Sequence, residues 1–119
     1  MTNKEFCEWE TEVFGYGYGT GEEHTFTALK GFIETLETEY AGGNELISYD
    51  FRKIEAKLGQ QVTWLLLTIL LHHGVLEYGT SSRFGWVTPE GKEVINFVRN
   101  KSVEELCNIK DEYLDSINA

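Results

Sequence analysis

Histidines and paired acids are the groups in this sequence that could carry acid–base or metal chemistry. The three histidines are His24, His72 and His73. His72 and His73 are adjacent, so on a helix their side chains point about 100° apart and do not easily share one metal ion. Neither is followed by a cysteine or histidine at zinc spacing, and the pairs Glu22-Glu23 and Glu104-Glu105 stand where helices are expected to begin. We therefore expect no catalytic residue, no metal site, no cofactor and no enzymatic activity.

A glycine-rich segment, Gly-Tyr-Gly-Tyr-Gly-Thr-Gly at residues 15–21, precedes a predicted helix. Glycine loops before a helix N-terminus bind phosphate in many proteins. This segment lacks the Gly-Lys-Ser/Thr of a P-loop and the spacing of a dinucleotide fingerprint, and Glu22 and Glu23 would repel a phosphate. A structural loop is the favoured interpretation. If the loop has a function, Tyr16 and Tyr18 indicate packing against a protein.

Charge is unevenly distributed along the 119 residues, whose net charge is −10. Residues 1–47 hold ten acids and two bases (net −8), residues 48–92 four acids and five bases (net +1), and residues 93–119 six acids and three bases (net −3). A strongly negative field disfavours nucleic acid and anionic membranes as partners. The sequence shows no secretory pattern and no apolar stretch of membrane-spanning length. We expect a cytoplasmic protein without membrane contacts, with Cys7 and Cys107 as reduced thiols.

Two helices are predicted in the N-terminal third. A helix over residues 3–14 is expected to stop at Gly15. A second, strongly amphipathic helix starts after Thr20 and continues to Tyr40, and Gly42-Gly43 ends it.

The rest of the chain alternates helical and strand patterns. The predicted elements are a short strand at Leu46-Ile47, a helix capped by Ser48, a break at Gly59, a helix over residues 60–73, a hairpin over residues 75–87, and helices that begin at Thr88 and Ser102. This succession of helix, short strand, two helices and hairpin is the order of a winged helix-turn-helix.

One stretch strengthens that interpretation. It reads His73-Gly74-Val75-Leu76-Glu77-Tyr78, then Arg83, then Trp86-Val87-Thr88-Pro89-Glu90-Gly91-Lys92. It resembles the core of MarR-, ArsR- and PadR-like winged-helix domains, and the match covers about half the chain. The glycine loop also resembles small phage and prophage proteins of unknown function.

The resemblance implies an α+β, mostly helical fold in a single domain, residues 1–119. Residues 44–100 are expected to form a winged-helix core with one β-hairpin wing. Residues 1–43 add N-terminal helices and the glycine loop, and residues 101–119 add a C-terminal helix.

The resemblance also implies that the helix over residues 60–73 is a recognition helix for DNA. A DNA reader needs polar and basic side chains on that helix's outer face. This helix has no lysine or arginine, and Trp64, Leu67 and Leu71 stand where exposed polar groups would be expected. The residues that could still contact DNA are Arg52, Lys53, Lys57, Gln60, Gln61, Thr63 and Arg83.

Our leading prediction is a non-enzymatic winged-helix protein that contacts another protein, as a regulator or a phage-type accessory factor. A second copy of the chain is one such partner. Aromatic residues concentrate in interface hot spots, which makes Tyr16, Tyr18, Trp64 and Trp86 the candidate contact residues. The alternative is a DNA-binding transcriptional regulator that uses the helix over residues 60–73 and a wing containing Arg83. In a third interpretation, Trp64, Leu67 and Leu71 are buried. Either the N-terminal aromatic residues cover them, or they form a homodimer interface together with the last helix.

Overall fold

The computed structural model describes residues 1–15 and 22–118. This part of the protein is α+β and mostly helical. The helices are α1 (Asn3–Phe14), α2 (Glu22–Glu34), α3 (Phe51–Leu58), α4 (Gln60–His72), α5 (Pro89–Arg99) and α6 (Val103–Ile117). The strands are β1 (Glu37–Ala41), β2 (Asn44–Asp50), β3 (Leu76–Tyr78) and β4 (Phe84–Val87). Among these helices, none is both long enough and apolar enough to cross a lipid bilayer.

The four strands form one antiparallel sheet in the order β1-β2-β4-β3. Ser48 of β2 lies opposite Trp86 of β4, and Leu76 of β3 lies opposite Val87. One face of the sheet packs on the helices and is made of buried side chains. They are Ile47, Tyr49, Leu76 and Val87.

An aromatic cluster joins the helices on the other side of the core. Phe6 of α1 stacks on Phe97 of α5 with ring centroids 4.6 Å apart, and it also contacts Trp9 and Phe26. Leu106 of α6 is fully buried in the same core. The N-terminal and C-terminal helices are therefore integral to the domain.

Most helix ends lie where local signals predict them. Ser102 and Glu105 form a capping box at the start of α6. The hydroxyl of Thr88 accepts the Gly91 N–H at the start of α5, where Pro89 is the first helical residue. Gly74, with φ of +72°, follows the end of α4. The expected cap at Thr20 lies outside the described residues.

The second helix is shorter than predicted, and this prediction was wrong. Helix α2 ends at Glu34, and the segment that contains Tyr40 is strand β1, paired with β2. Gly42 and Gly43 do not end a helix; they form the two-residue turn between β1 and β2, both with positive φ. That conformation matches the twist of a hairpin, so pairing with β2 outweighs the helical spacing of Tyr40.

The strand after this turn is also longer than predicted. Ser48 lies within β2 and does not cap α3; the cap is Asp50, whose carboxylate accepts the Arg52 N–H at 2.9 Å. The sheet consequently contains two hairpins, where the sequence predicted one. Trp86 lies on the face of the sheet opposite the buried side chains, and its own side chain is partly exposed.

Candidate protein-binding surface

Helix α4 carries apolar side chains around most of its circumference. The rest of the described structure covers only one of its faces. Its segment Thr-Trp-Leu-Leu-Leu-Thr-Ile-Leu-Leu leaves apolar residues on whichever face points outward. Thr63, Leu66, Leu67 and Leu70 point into the core. The exposed residues on the other side are Gln60, Gln61, Val62, Trp64, Leu65, Thr68 and His72. Val62 and Leu65 are 42% and 51% exposed, although both are large aliphatic residues.

The position of Trp64 is fixed by a cluster with α3 and with Arg83, which lies between β3 and β4. Its ring centroid lies 4.4 Å from that of Phe51, the buried first residue of α3. The Arg83 guanidinium carbon lies 4.9 Å from the Phe51 centroid and 5.6 Å from the Trp64 centroid. The Phe51 N–H donates to the Arg83 carbonyl at 2.8 Å. These contacts hold Arg83 over aromatic rings as a cation–π partner.

An open cleft of about 500 Å³ lies beside α4. Its apolar lining comes from all four of the first helices and includes Phe14, Ala28, Leu58, Val62, Leu65 and Ile69. His24 and Lys57 are polar members of the lining. We call Val62, Trp64, Leu65 and this cleft the α4 surface.

The basic residues predicted to contact DNA are partly neutralised by neighbouring acids. Lys53 forms an ion pair with Glu37, and Lys57 forms one with Glu34. The hydrogen bond from Lys57 and its positive charge lower the pKa of the Glu34 carboxyl from its usual value. Arg52 is exposed. Two of the four cations thus already have carboxylate partners.

The polar residues predicted to contact DNA differ in accessibility. Gln60 and Gln61 are exposed in the first turn of α4. Thr63 is fully buried, and its hydroxyl donates to the Gly59 carbonyl at 2.6 Å, so it does not face a duplex.

The apolar outer face of α4 exists and includes Trp64 as the sequence indicated, but its other members differ from those predicted. Leu67 is buried and Leu71 is half-buried, whereas Val62 and Leu65 are exposed. Helical phase could have shown this: residues 63, 66, 67 and 70 make the i, i+3, i+4, i+7 stripe that faces a core.

Of the four predicted aromatic contact residues, the structure describes Trp64 and Trp86, and these two do not form one patch. Tyr16 and Tyr18 lie outside the described residues. Trp64 belongs to the cluster with Phe51, whereas Trp86 lies on the outer face of the sheet and donates its indole N–H to Glu77 Oε2 at 3.1 Å. The two tryptophans therefore mark two separate surfaces.

The three histidines lie in two places. His72 and His73 lie at its C-terminal end, with ring centroids 5.0 Å apart, and His24 lines the cleft on α2. In the part of the chain that the structure describes, no group of three or more histidines, cysteines or acids is arranged to hold a metal ion.

Comparison with known proteins gives no match for this chain among family models, curated proteins or solved structures.

Proposed function

We propose that this chain is a non-enzymatic winged-helix protein that binds another protein through the α4 surface. The winged-helix part of the proposal is supported by the chain order α2, β2, α3, α4, β3, β4 and by the sheet order β2-β4-β3. In that scheme α4 corresponds to the recognition helix and the β3–β4 turn to the wing. Strand β1 and the flanking helices are additions to the core. A cytoplasmic location remains part of the proposal.

The observation that carries the proposal is the exposure of Val62 and Leu65 beside an apolar cleft. Exposed aliphatic side chains that adjoin a concave apolar surface are typical of sites where a partner inserts its own apolar residues. The cleft between α2 and α4 suits the apolar face of an amphipathic helix, whose residues repeat every three or four positions. Trp64, fixed by Phe51, adds a rigid aromatic anchor at the edge.

The same surface is poorly suited to DNA. Phosphate contacts supply most of the non-specific affinity for a duplex, yet α4 carries no lysine or arginine. Lys53 and Lys57 already pair with glutamates, and the chain has a net charge of −10. DNA binding remains the alternative, supported by the exposure of Gln60, Gln61 and Arg52.

Site-specific photo-crosslinking tests the proposal directly. A benzophenone side chain would replace Leu65 in one protein and Ile117, an equally exposed residue at the end of α6, in another. Each protein would be irradiated in its host's cell extract. A protein adduct formed from position 65 and absent from position 117 supports the proposal. No adduct from position 65, or one equally abundant from both positions, contradicts it.

A substitution pair then shows whether the exposed side chains hold the partner. Val62→Ser/Leu65→Ser should abolish capture of the crosslinked protein, whereas Tyr40→Ser/Ile117→Ser, which removes exposed apolar side chains elsewhere, should retain it.

The DNA alternative is tested by a gel-shift titration with random duplex at low salt. Salt-sensitive binding in the micromolar range that disappears in Arg52→Ala/Arg83→Met would overturn our proposal. Methionine at position 83 keeps the cover over Phe51 and Trp64 while removing the charge.

A further inference from the structure

The outer face of the sheet carries large apolar side chains where an antiparallel sheet usually presents polar ones to water. Alternation along the strands places Phe84 and Trp86 of β4 on this face, with Leu46 of β2 two positions from the partner of Trp86. Phe84 and Leu46 are 52% and 44% exposed. A cluster of this kind on an exposed face marks an interaction site.

Each of these apolar residues lies opposite an acid in the register of the sheet. Leu46 pairs with Glu39, Phe84 with Asp50, and Trp86 with Glu77. Side chains at paired positions are neighbours on one face, and the indole N–H of Trp86 donates to Glu77 Oε2. We call these three residue pairs the sheet patch.

The charge around the sheet patch is negative. Of the five acidic residues in the four strands, the register places four on this face, Glu37, Glu39, Asp50 and Glu77, and the strands carry no basic residue. Lys53 of α3 forms an ion pair with Glu37. Glu37 lies opposite Ser48, which lies opposite Trp86, so the three residues form one row across the strands. The carboxylates of Glu39 and Glu77 belong to exposed residues at the two edges of the sheet.

We propose that the sheet patch binds an arginine-bearing segment of a partner protein. A guanidinium group stacks on aromatic faces and donates hydrogen bonds to carboxylates from its planar fork, while its aliphatic stem covers apolar residues such as Leu46. A second copy of this chain would bring the same carboxylates, and a duplex would bring phosphates, so both are repelled. The sheet patch is distinct from the α4 surface, and this proposal does not depend on the function proposed for the α4 surface.

The test measures binding of two fluorescein-labelled peptides, nona-arginine and nona-lysine, by fluorescence anisotropy with the full chain. The expected result is a preference for arginine of about fivefold or more, because a lysine ammonium has no planar fork. Glu39→Gln/Glu77→Gln should weaken nona-arginine binding by about tenfold. Trp86→Thr should weaken it to a similar extent and reduce the arginine preference.

The matched control removes two glutamates elsewhere. Glu12→Gln/Glu112→Gln changes exposed residues of α1 and α6 and should alter affinity by less than about twofold. If both double variants weaken binding equally, or if the two peptides bind equally well, the net negative charge of the protein alone determines peptide affinity. Either result overturns the proposal.

Two further measurements distinguish loss of the sheet patch from loss of the fold and from binding at the α4 surface. If circular dichroism shows that Trp86→Thr is unfolded, Phe84→Thr takes its place, since Phe84 is the more exposed ring. Leu65→Ser should leave peptide affinity unchanged, so that failure of one proposal is distinguishable from failure of the other. Sedimentation showing a dimer that Trp86→Thr dissociates would assign the patch to a second copy and overturn the proposal.

Discussion

Lys110 of α6 and Glu10 of α1 form an ion pair that is buried between the first and last helices. Both side chains are only 8% exposed. The Lys110 ammonium also donates to the hydroxyl of Thr11. Desolvation of two charges is unfavourable, and it is offset here by their mutual attraction and by the additional hydrogen bond. The pair therefore ties the two ends of the chain together, 100 positions apart in sequence.

Removal of one partner should destabilise the protein strongly. Either Glu10→Gln or Lys110→Met should lower the free energy of unfolding by about 3–5 kcal/mol, because the other charge remains buried without its partner. The double variant Glu10→Leu/Lys110→Met should lose less than either single variant. Urea unfolding at neutral pH measures all three. A double variant that loses the sum of the single losses would contradict this account.

Gly85 is predicted to be intolerant of a side chain, whereas Gly79 in the same hairpin is tolerant. A Cβ at Gly85 would overlap the Glu77 carbonyl oxygen and lie 2.6 Å from Cε1 of Tyr49. A Cβ at Gly79 would meet only Trp86 Cη2, at an ordinary 3.9 Å. Gly85→Ala should cost about 2–3 kcal/mol of stability and Gly79→Ala less than about 0.5 kcal/mol. Thermal unfolding followed by circular dichroism compares them, and equal losses would refute the close packing of Tyr49 on β4.

Most helix ends were predictable because their signals are local. The capping box at Ser102 and Glu105 and the break at Gly59 involve residues within four positions of each other. Strand β1 was missed because its hydrogen-bonding partner is β2, and its own residues, Glu-Thr-Glu-Tyr-Ala, are all exposed. An exposed edge strand shows no alternation of buried and exposed positions for sequence reasoning to detect.

The candidate surfaces were only partly predictable for a similar reason. Trp64 and Trp86 were predicted to be contact residues from their type, but the face of the sheet on which Trp86 lies is a property of the folded sheet. Leu46 and Phe84 were not identified, because their exposure depends on which face of β2 and β4 the helices cover. The cross-strand pairing of these residues with acids needs the register itself.

The turn between β1 and β2 should accept asparagine but not a β-branched residue. Gly42 and Gly43 have φ of +59° and +84°, and a Cβ at either position meets no atom within 4 Å. The cost of substitution is therefore a backbone cost alone. Gly42→Asn should stay within about 0.5 kcal/mol of the original stability, whereas Gly42→Val should lose about 1–2 kcal/mol. Urea unfolding compares them, and an equal loss in both would argue against a left-handed residue at position 42.

The side chain of Tyr49 lies on the face of the sheet that packs against the helices. Its hydroxyl donates to the Ser82 carbonyl at 3.0 Å, and the residue is almost fully buried. Burial, with a smaller contribution from nearby Tyr78, raises the pKa of Tyr49 from 10.0 to about 12. The folded protein therefore retains this proton at a pH where the unfolded chain has released it.

This pKa shift predicts a loss of stability between pH 10 and pH 12. Below pH 10 the phenol is neutral in both states, and its contribution to stability is fully present. As the pH rises through this window, the unfolded chain ionises first, so the free energy of unfolding falls. Tyr49→Phe removes the ionisable hydroxyl proton and its hydrogen bond, which should lower the free energy of unfolding by about 1 kcal/mol at pH 8. That deficit should shrink and then reverse toward pH 12 in urea unfolding experiments on both proteins. Lysine titration is common to both, so parallel pH profiles would show that Tyr49 ionises as readily in the folded protein as in the unfolded chain.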